Sequence, residues 1–245
     1  MTLRIACDLD GTVADMGAAL QREAETLFGT GVDLRAGIGV PVEPPPDPDA
    51  EEGAEPAADA PGDTAEPAAV RRGLTSREYR QLWAHVRKVE NFWCTLAEIE
   101  PGAVSRFAEA AARHHWEVIF LTQRPGSAGE LAQVQTQRWL QTHGFTFPSV
   151  FVVSGSRGLI AAALHLDAVV DDRPENCLDV ATDSQAKPIL VWRESPQSAP
   201  PGAPRMRIET VFSFADALQR LEAMSASRTS AATGLVSRIR RTLGF

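Results

Sequence analysis

A doubly wound α/β fold with a parallel sheet is what this sequence predicts, on three observations. Short apolar runs recur along the chain in the pattern of strands buried on both faces. Segments of helical periodicity separate them, as crossover helices separate parallel strands. The runs also open into polar or acidic residues, several of them beside glycine or proline, as strands do where they leave a sheet.

The elements follow in order. Leu3 to Asp8 is the first strand. Asp15 can cap a helix over 16–28, with Leu20, Ala24 and Leu27 on one face. Residues 41–69 are almost entirely Pro, Ala, Gly, Glu and Asp; such a segment buries too little apolar surface to offset its chain entropy and is expected to be disordered. Thr75 and Glu78 form a capping box for a helix to about Glu90, with Tyr79, Leu82, Trp83 and Val86 as its apolar stripe. After Pro101-Gly102, a helix over 103–114 leads into the strand Val118 to Leu121. Helices near 129–142, 158–164 and 175–181 precede the strands Val150–Val153, Ala168–Val170 and Pro188–Trp192. The last core helix runs near 214–223. In the tail, Leu235, Val236, Ile239 and Leu243 fall on one side and Arg238, Arg240 and Arg241 near the other, a basic amphipathic helix suited to weak contact with a membrane surface, a protein, or the acidic segment itself.

Composition narrows the function classes. The chain has 245 residues, of which 44% are hydrophobic and 23% charged, ordinary values for a globular protein. No apolar run approaches the roughly 20 residues that a membrane-spanning helix needs. Charged residues come too early at the N-terminus for a signal peptide, so a cytoplasmic protein is expected. Cys7, Cys94 and Cys177 are odd in number and irregularly spaced; they fit buried thiols in a reducing compartment better than a disulfide framework or a zinc site. The net charge is −8, yet residues 41–69 hold nine acidic groups and no Lys or Arg, so removing them leaves the remainder at +1. A body so near neutrality offers no broad basic field to duplex nucleic acid.

Ligands of open α/β sheets sit beyond the carboxyl ends of the strands. There the first strand brings Asp8 and Asp10, the second Thr122 and Gln123, the loop after the third Arg157, and the fourth Asp171 and Asp172. Carboxylates gathered in a partly dry crevice repel one another unless a hard cation joins them, and Mg2+ takes a few such oxygens and completes its shell with water and phosphate. A carboxylate can also attack phosphorus and split a hydrolysis into two easier steps. Asp8 is placed for that attack, and Asp10 for protonating the leaving oxygen and then deprotonating water. The Thr122 hydroxyl, Gln123 and nearby amides can hold phosphoryl oxygens, and Arg157 supplies fixed positive charge, with Lys187 a lesser alternative. The Mg2+ ligands are then Asp8, the Asp10 carbonyl and Asp171, with Asp172 behind them. Phe92 and Trp93 either stack on a base or pack inside. Cys7, in an apolar strand, reads as core filler.

These same residues carry a resemblance. Asp8-Leu9-Asp10-Gly11-Thr12-Val13, the strand ending at Thr122, Arg157, and Val169-Val170-Asp171-Asp172-Arg173-Pro174 resemble, in order, the four motifs of the haloacid dehalogenase-like (HAD) hydrolases. Within that superfamily, Asn91-Phe92-Trp93 and Pro101-Gly102-Ala103-Val104, with Asp-Asp-Arg-Pro, look similar to 5′(3′)-deoxyribonucleotidases. The resemblance implies a HAD-like Rossmannoid core over 1–30 and 95–224, with a small helical cap inserted after the first strand. The cap is expected over 31–94, including the acidic insert 41–69, and the basic tail over 225–245. It further implies a Mg2+-dependent phosphatase acting through an aspartyl-phosphate on a small phosphorylated substrate. Arg157 stands where that family usually has Lys. Two other readings stay open: a catalytically weak member that binds partners through the acidic insert and the tail, and a receiver domain, which the order of the acidic motifs disfavours.

Overall fold

The computed structural model describes residues 2–34 and 73–243, with side chains as far as Arg228. The expected disordered insert, 41–69, lies outside the described residues, as do the side chains of the amphipathic tail.

Alternate positions of the first strand, β1 (Arg4–Asp8), enter two different cores. Leu3, Ile5, Cys7 and Leu9 join one apolar cluster and Ala6 joins a second. A strand that buries both faces needs cover on both sides, which is the physical content of a doubly wound sheet. The remaining strands are β2 (Glu117–Thr122), β3 (Ser149–Val152), β4 (Ala168–Asp171), β5 (Lys187–Val191) and β6 (Glu209–Val211). All pair in parallel, in the order β3-β2-β1-β4-β5-β6. β6 escapes the sequence reading because Glu-Thr-Val is too short to carry a period.

Helices α1 (Met16–Phe28) and α2 (Ser76–Val86) follow β1. The expected caps are both present: Asp15 accepts from the Ala18 amide, and Thr75 and Glu78 bond reciprocally. Leu20 and Ala24 of α1, and Leu82, Trp83 and Val86 of α2, enter the same cluster as β1, so the helices inserted after the first strand share the main core. α3 (Ala103–His114) adds Val104 and Phe107, and α4 (Ala132–Thr142) adds Trp139 and Leu140. α4 begins at Ala132, not near Gly129, because the preceding segment is held open by Gly129 at φ +90. α5 (Arg157–Ala163) and α6 (Pro174–Asp183) cover the opposite face around Ala161, Val169 and Val180. The last helix, α7 (Phe214–Leu243), is one continuous backbone helix across the boundary expected at 224, since Ser and Ala at 225–227 contain no breaker. No helix among the described residues is long and apolar enough to cross a membrane.

Candidate active site

The chain winds outward from β1 through β2 and β3, then returns to start again at β4, so the sheet switches direction between β1 and β4. Cys7 lies opposite Val170, which sets Asp8 level with Asp171; Asp8 also faces Leu121, one residue before Thr122. Strand register alone therefore brings three of the expected residues to one ledge. Asp8, Asp171 and Asp172 each place an oxygen within 4.8 Å of the others.

Burial dominates the electrostatics of that ledge. It pushes the Asp8 carboxyl well above its ordinary range, Asp171 and Asp172 push it further, and Arg157 opposes them. Burial also raises Asp171 to about 6, against the Arg173 amide, the Arg157 charge and the Asn176 side chain. Asp172 goes to about 8 through burial and then the neighbouring Asp171. Clustered hard oxygens that resist charging in one another's presence are a donor set that fits a divalent cation such as Mg2+. Neighbours fix their aim: the Arg173 amide donates to Asp171 Oδ1 (2.9 Å), and Asn176 Nδ2 reaches both Asp171 oxygens (3.1 and 3.0 Å). Thr12 Oγ1 donates to Asp172 Oδ1 (3.3 Å). Gly11, at φ +88, is required here, because a Cβ would come within 2.0 Å of Asp172 Oδ2.

Arg157 opens α5, whose first turn is capped by Ser156 Oγ. Its side chain is 2% exposed and donates through Nη2 to Asp8 Oδ1 (3.2 Å), with Nε 3.8 Å from Asp171 Oδ2. Its Nε and Nη1 have no hydrogen-bond partner among the described residues. Buried guanidinium donors left uncommitted beside a carboxylate suit the oxygens of a phosphoryl group. Lys187, the alternative cation, opens β5 at the other end of the sheet and pairs with Glu209, so it does not enter the site.

A second buried arginine went unread in the sequence. Arg124, two residues past the end of β2, has a side chain with 0% exposure. It grips Asp10 through Nε (2.9 Å to Oδ2) and Nη2 (2.7 Å to Oδ1) and donates from Nη1 to Thr136 Oγ1 (3.0 Å). Thr122 Oγ1 donates to Asp10 Oδ2 (3.1 Å) and accepts from the Arg124 amide (3.3 Å). Thr122 is therefore engaged with Asp10, rather than turned wholly to a ligand. The Arg124 guanidinium lies over the Trp93 ring, 5.0 Å from its centroid. The signal that could have exposed Arg124 is charge balance, since buried carboxylates in a near-neutral body call for buried cations.

Phe92 and Trp93 are 1% and 0% exposed and meet edge to face at 5.0 Å. Of the two sequence readings, the structure supports packing: Phe92 sits in the core, and a face of Trp93 is covered by Arg124. An open cleft of about 60 Å³ lies over the ledge, lined by Asp8, Asp10 and Arg157 below and by Met16, Gln123 and Arg173 among others around it. That volume holds a few water molecules. Gln123 is exposed within it. Cys7 is fully buried, and burial pushes its thiol well up, as expected of core filler.

No protein-family model and no curated protein matches the chain. Among solved structures it is similar to a protein of Thermotoga maritima described as a beta-phosphoglucomutase. That likeness has 15% identity, covers 91% of this chain and 99% of that one, and has a TM-score of 0.48. It is also similar to CbbY from Rhodobacter sphaeroides in complex with phosphate, at 16% identity over 88% of this chain and 96% of that one, with a TM-score of 0.40. Likenesses at this level concern the path of the chain and say nothing of its chemistry.

Proposed function

We propose that the protein is a Mg2+-dependent phosphomonoester hydrolase of the HAD type, with Asp8 as nucleophile. The observation that carries this reading is the uncommitted half of Arg157, buried against Asp8 beside an acidic ledge. A phosphoryl group seated there has its oxygens against Arg157 and its phosphorus in front of Asp8. An Asp8 oxygen bonds to phosphorus as the ester oxygen departs, and Asp10, aligned by Arg124 and Thr122, gives that oxygen a proton. In the second step Asp10 takes a proton from water, whose oxygen bonds to phosphorus and releases the Asp8 carboxylate and inorganic phosphate. Asp8 and Asp171, with Asp172 adjacent, would hold Mg2+; when bound, it supplies positive charge that offsets the crowding of carboxylates and phosphate.

The cleft admits little more than the phosphoryl end, so the remainder of the ester lies across the mouth at Met16, Gln123 and Arg173. A nucleoside 5′-monophosphate is the substrate that the sequence resemblance favours; Phe92 is buried in the core, while Trp93, also buried, lines the cleft beside Arg124. Phosphate release from a panel of nucleotides, sugar phosphates and phosphoglycolate, with and without Mg2+, tests the reading. Nucleoside monophosphates should be turned over in Mg2+, and silence across the panel would refute the enzyme. Asp8→Asn should lower turnover about a thousandfold or more with the fold intact by circular dichroism, as expected when a nucleophile is removed. Retained activity would move the nucleophile elsewhere.

A further inference from the structure

We propose that Arg193, held by Glu100, is a positioning residue that fixes the loop between the nucleophile and the helix after it. This inference rests on the reading of Asp8 and Asp10 as the reacting pair. The loop is a tight turn: the amides of Val13 and Ala14 both donate to the Leu9 carbonyl (2.9 and 2.7 Å), and the Gly11 amide donates to the Ala14 carbonyl (3.0 Å). One flank is tied to the segment before α3, where Asp15 donates to the Ala97 carbonyl and Ile99 to the Val13 carbonyl, both at 2.9 Å. The other flank is tied by Arg193, two residues beyond the end of β5. Its Nε donates to the Gly11 carbonyl (3.3 Å), its Nη2 to the Thr12 carbonyl (2.5 Å) and its Nη1 to Glu100 Oε1 (2.5 Å).

One planar fork thus bridges two successive carbonyls and a carboxylate, which a lysine ammonium cannot reproduce. Glu100 is itself anchored, accepting from the amides of Phe214 (2.6 Å) and Ala215 (3.2 Å) at the start of α7. Burial pushes the Glu100 carboxyl up, but these amides and Arg193 outweigh it and leave it below its usual range, so it stays charged at neutral pH. The Arg193 side chain is a quarter exposed, and a surface pair of that kind adds little to stability. Its position has more consequence. Thr12, whose carbonyl Arg193 holds, donates its hydroxyl to Asp172, and Gly11 directly follows Asp10. Loosening the clamp therefore lets the backbone under Asp10 and Thr12 shift, although Arg124 and Thr122 still hold the Asp10 carboxylate.

Arg193→Ala and Arg193→Lys in the full chain test this by two readouts. Hydrogen exchange at the Val13 and Ala14 amides should quicken at least tenfold in both variants. Phosphate release should lose about a hundredfold in kcat, the scale of an ångström misplacement, with KM within about twofold. The melting temperature should move by no more than about 3 °C, since a part-exposed surface pair contributes little to stability. Millimolar guanidinium should restore part of the lost kcat in Arg193→Ala. Unchanged exchange, or unchanged kcat in both variants, overturns the proposal. If the wild-type chain releases no phosphate from any ester, the hydrolase reading fails, and exchange alone decides whether Arg193 orders the loop.

Discussion

Two arginines face the acidic strand ends, and their surroundings give them different work. Arg157 keeps donors free beside Asp8, while Arg124 spends its fork on Asp10 and its remaining nitrogen on Thr136. A buried guanidinium in this geometry orients its partner through two bonds at once, and lysine would supply charge without orientation. Arg124→Ala leaves Asp10 without its counter-ion and removes the cation from the Trp93 face. Urea unfolding should show a loss of about 3–5 kcal/mol, the range for breaking a buried pair. The Asp10 side chain is 13% exposed, so the lower end is expected. Arg124→Lys should fold with a smaller loss yet still turn over at least about tenfold more slowly, because Asp10 is no longer held in line. Wild-type turnover in Arg124→Lys would show that orientation of Asp10 is unimportant. The sequence hid this residue for a physical reason. Gln123-Arg124-Pro125-Gly126-Ser127 has the composition of a turn, and the carboxylate that Arg124 meets lies 114 positions earlier. By contrast Asp8, Asp171 and Asp172 were legible, because a strand end locates its residue without knowledge of any distant contact.

At the scale of elements, five strands and their intervening helices were legible because each carries an apolar pattern of its own and several carry local caps. What escaped depends on neighbours: β6 is a strand through its pairing with β5, and the start of α4 is set by the docking of Gly129 against Asn91. The seating of Arg157 is of the same kind. α5 lies so close to α6 that a Cβ on Gly158 would stand 2.2 Å from the Asp179 carbonyl oxygen and 2.8 Å from Asp183 Cβ. Alanine normally favours a helix over glycine by about 1 kcal/mol, but here the obstacle is backbone, which cannot swing aside. Gly158→Ala should therefore cost about 1–3 kcal/mol net and lower turnover by moving α5 with its first residue, Arg157. Gly17→Ala, in α1, meets only Asp15 Oδ1 at 3.7 Å and should stabilise by up to about 1 kcal/mol. Thermal unfolding of the pair gives opposite signs if close packing, rather than helix propensity, governs α5.

For the whole molecule, the acidic ledge ties folding to pH and to the cation. An unfolded Asp titrates near 3.9, so Asp171 at about 6 and Asp172 at about 8 bind protons more tightly in the folded chain. Below pH 4 both states are protonated and the folded state keeps the full benefit. As pH rises from about 4 to about 8, the folded chain must either hold protons that the unfolded chain has released or bear buried charge, and stability falls. Glu100 runs the other way, but its change is essentially complete near the ordinary carboxylate range, below the pH 5.5 at which the comparison begins. In chelator, the melting temperature should thus be higher at pH 5.5 than at pH 8.5. On the proposed function the ionised ledge, and not the unfolded chain, would hold Mg2+, so millimolar Mg2+ should raise the melting temperature mainly at pH 8.5 and narrow the gap. Asp172→Asn removes the carboxyl raised to about 8, and in chelator it should flatten the slope and raise stability at pH 8.5. A metal-free protein whose melting temperature climbs from pH 5.5 to 8.5 would contradict the crowding of the three carboxyl groups, and with it the case for a shared cation.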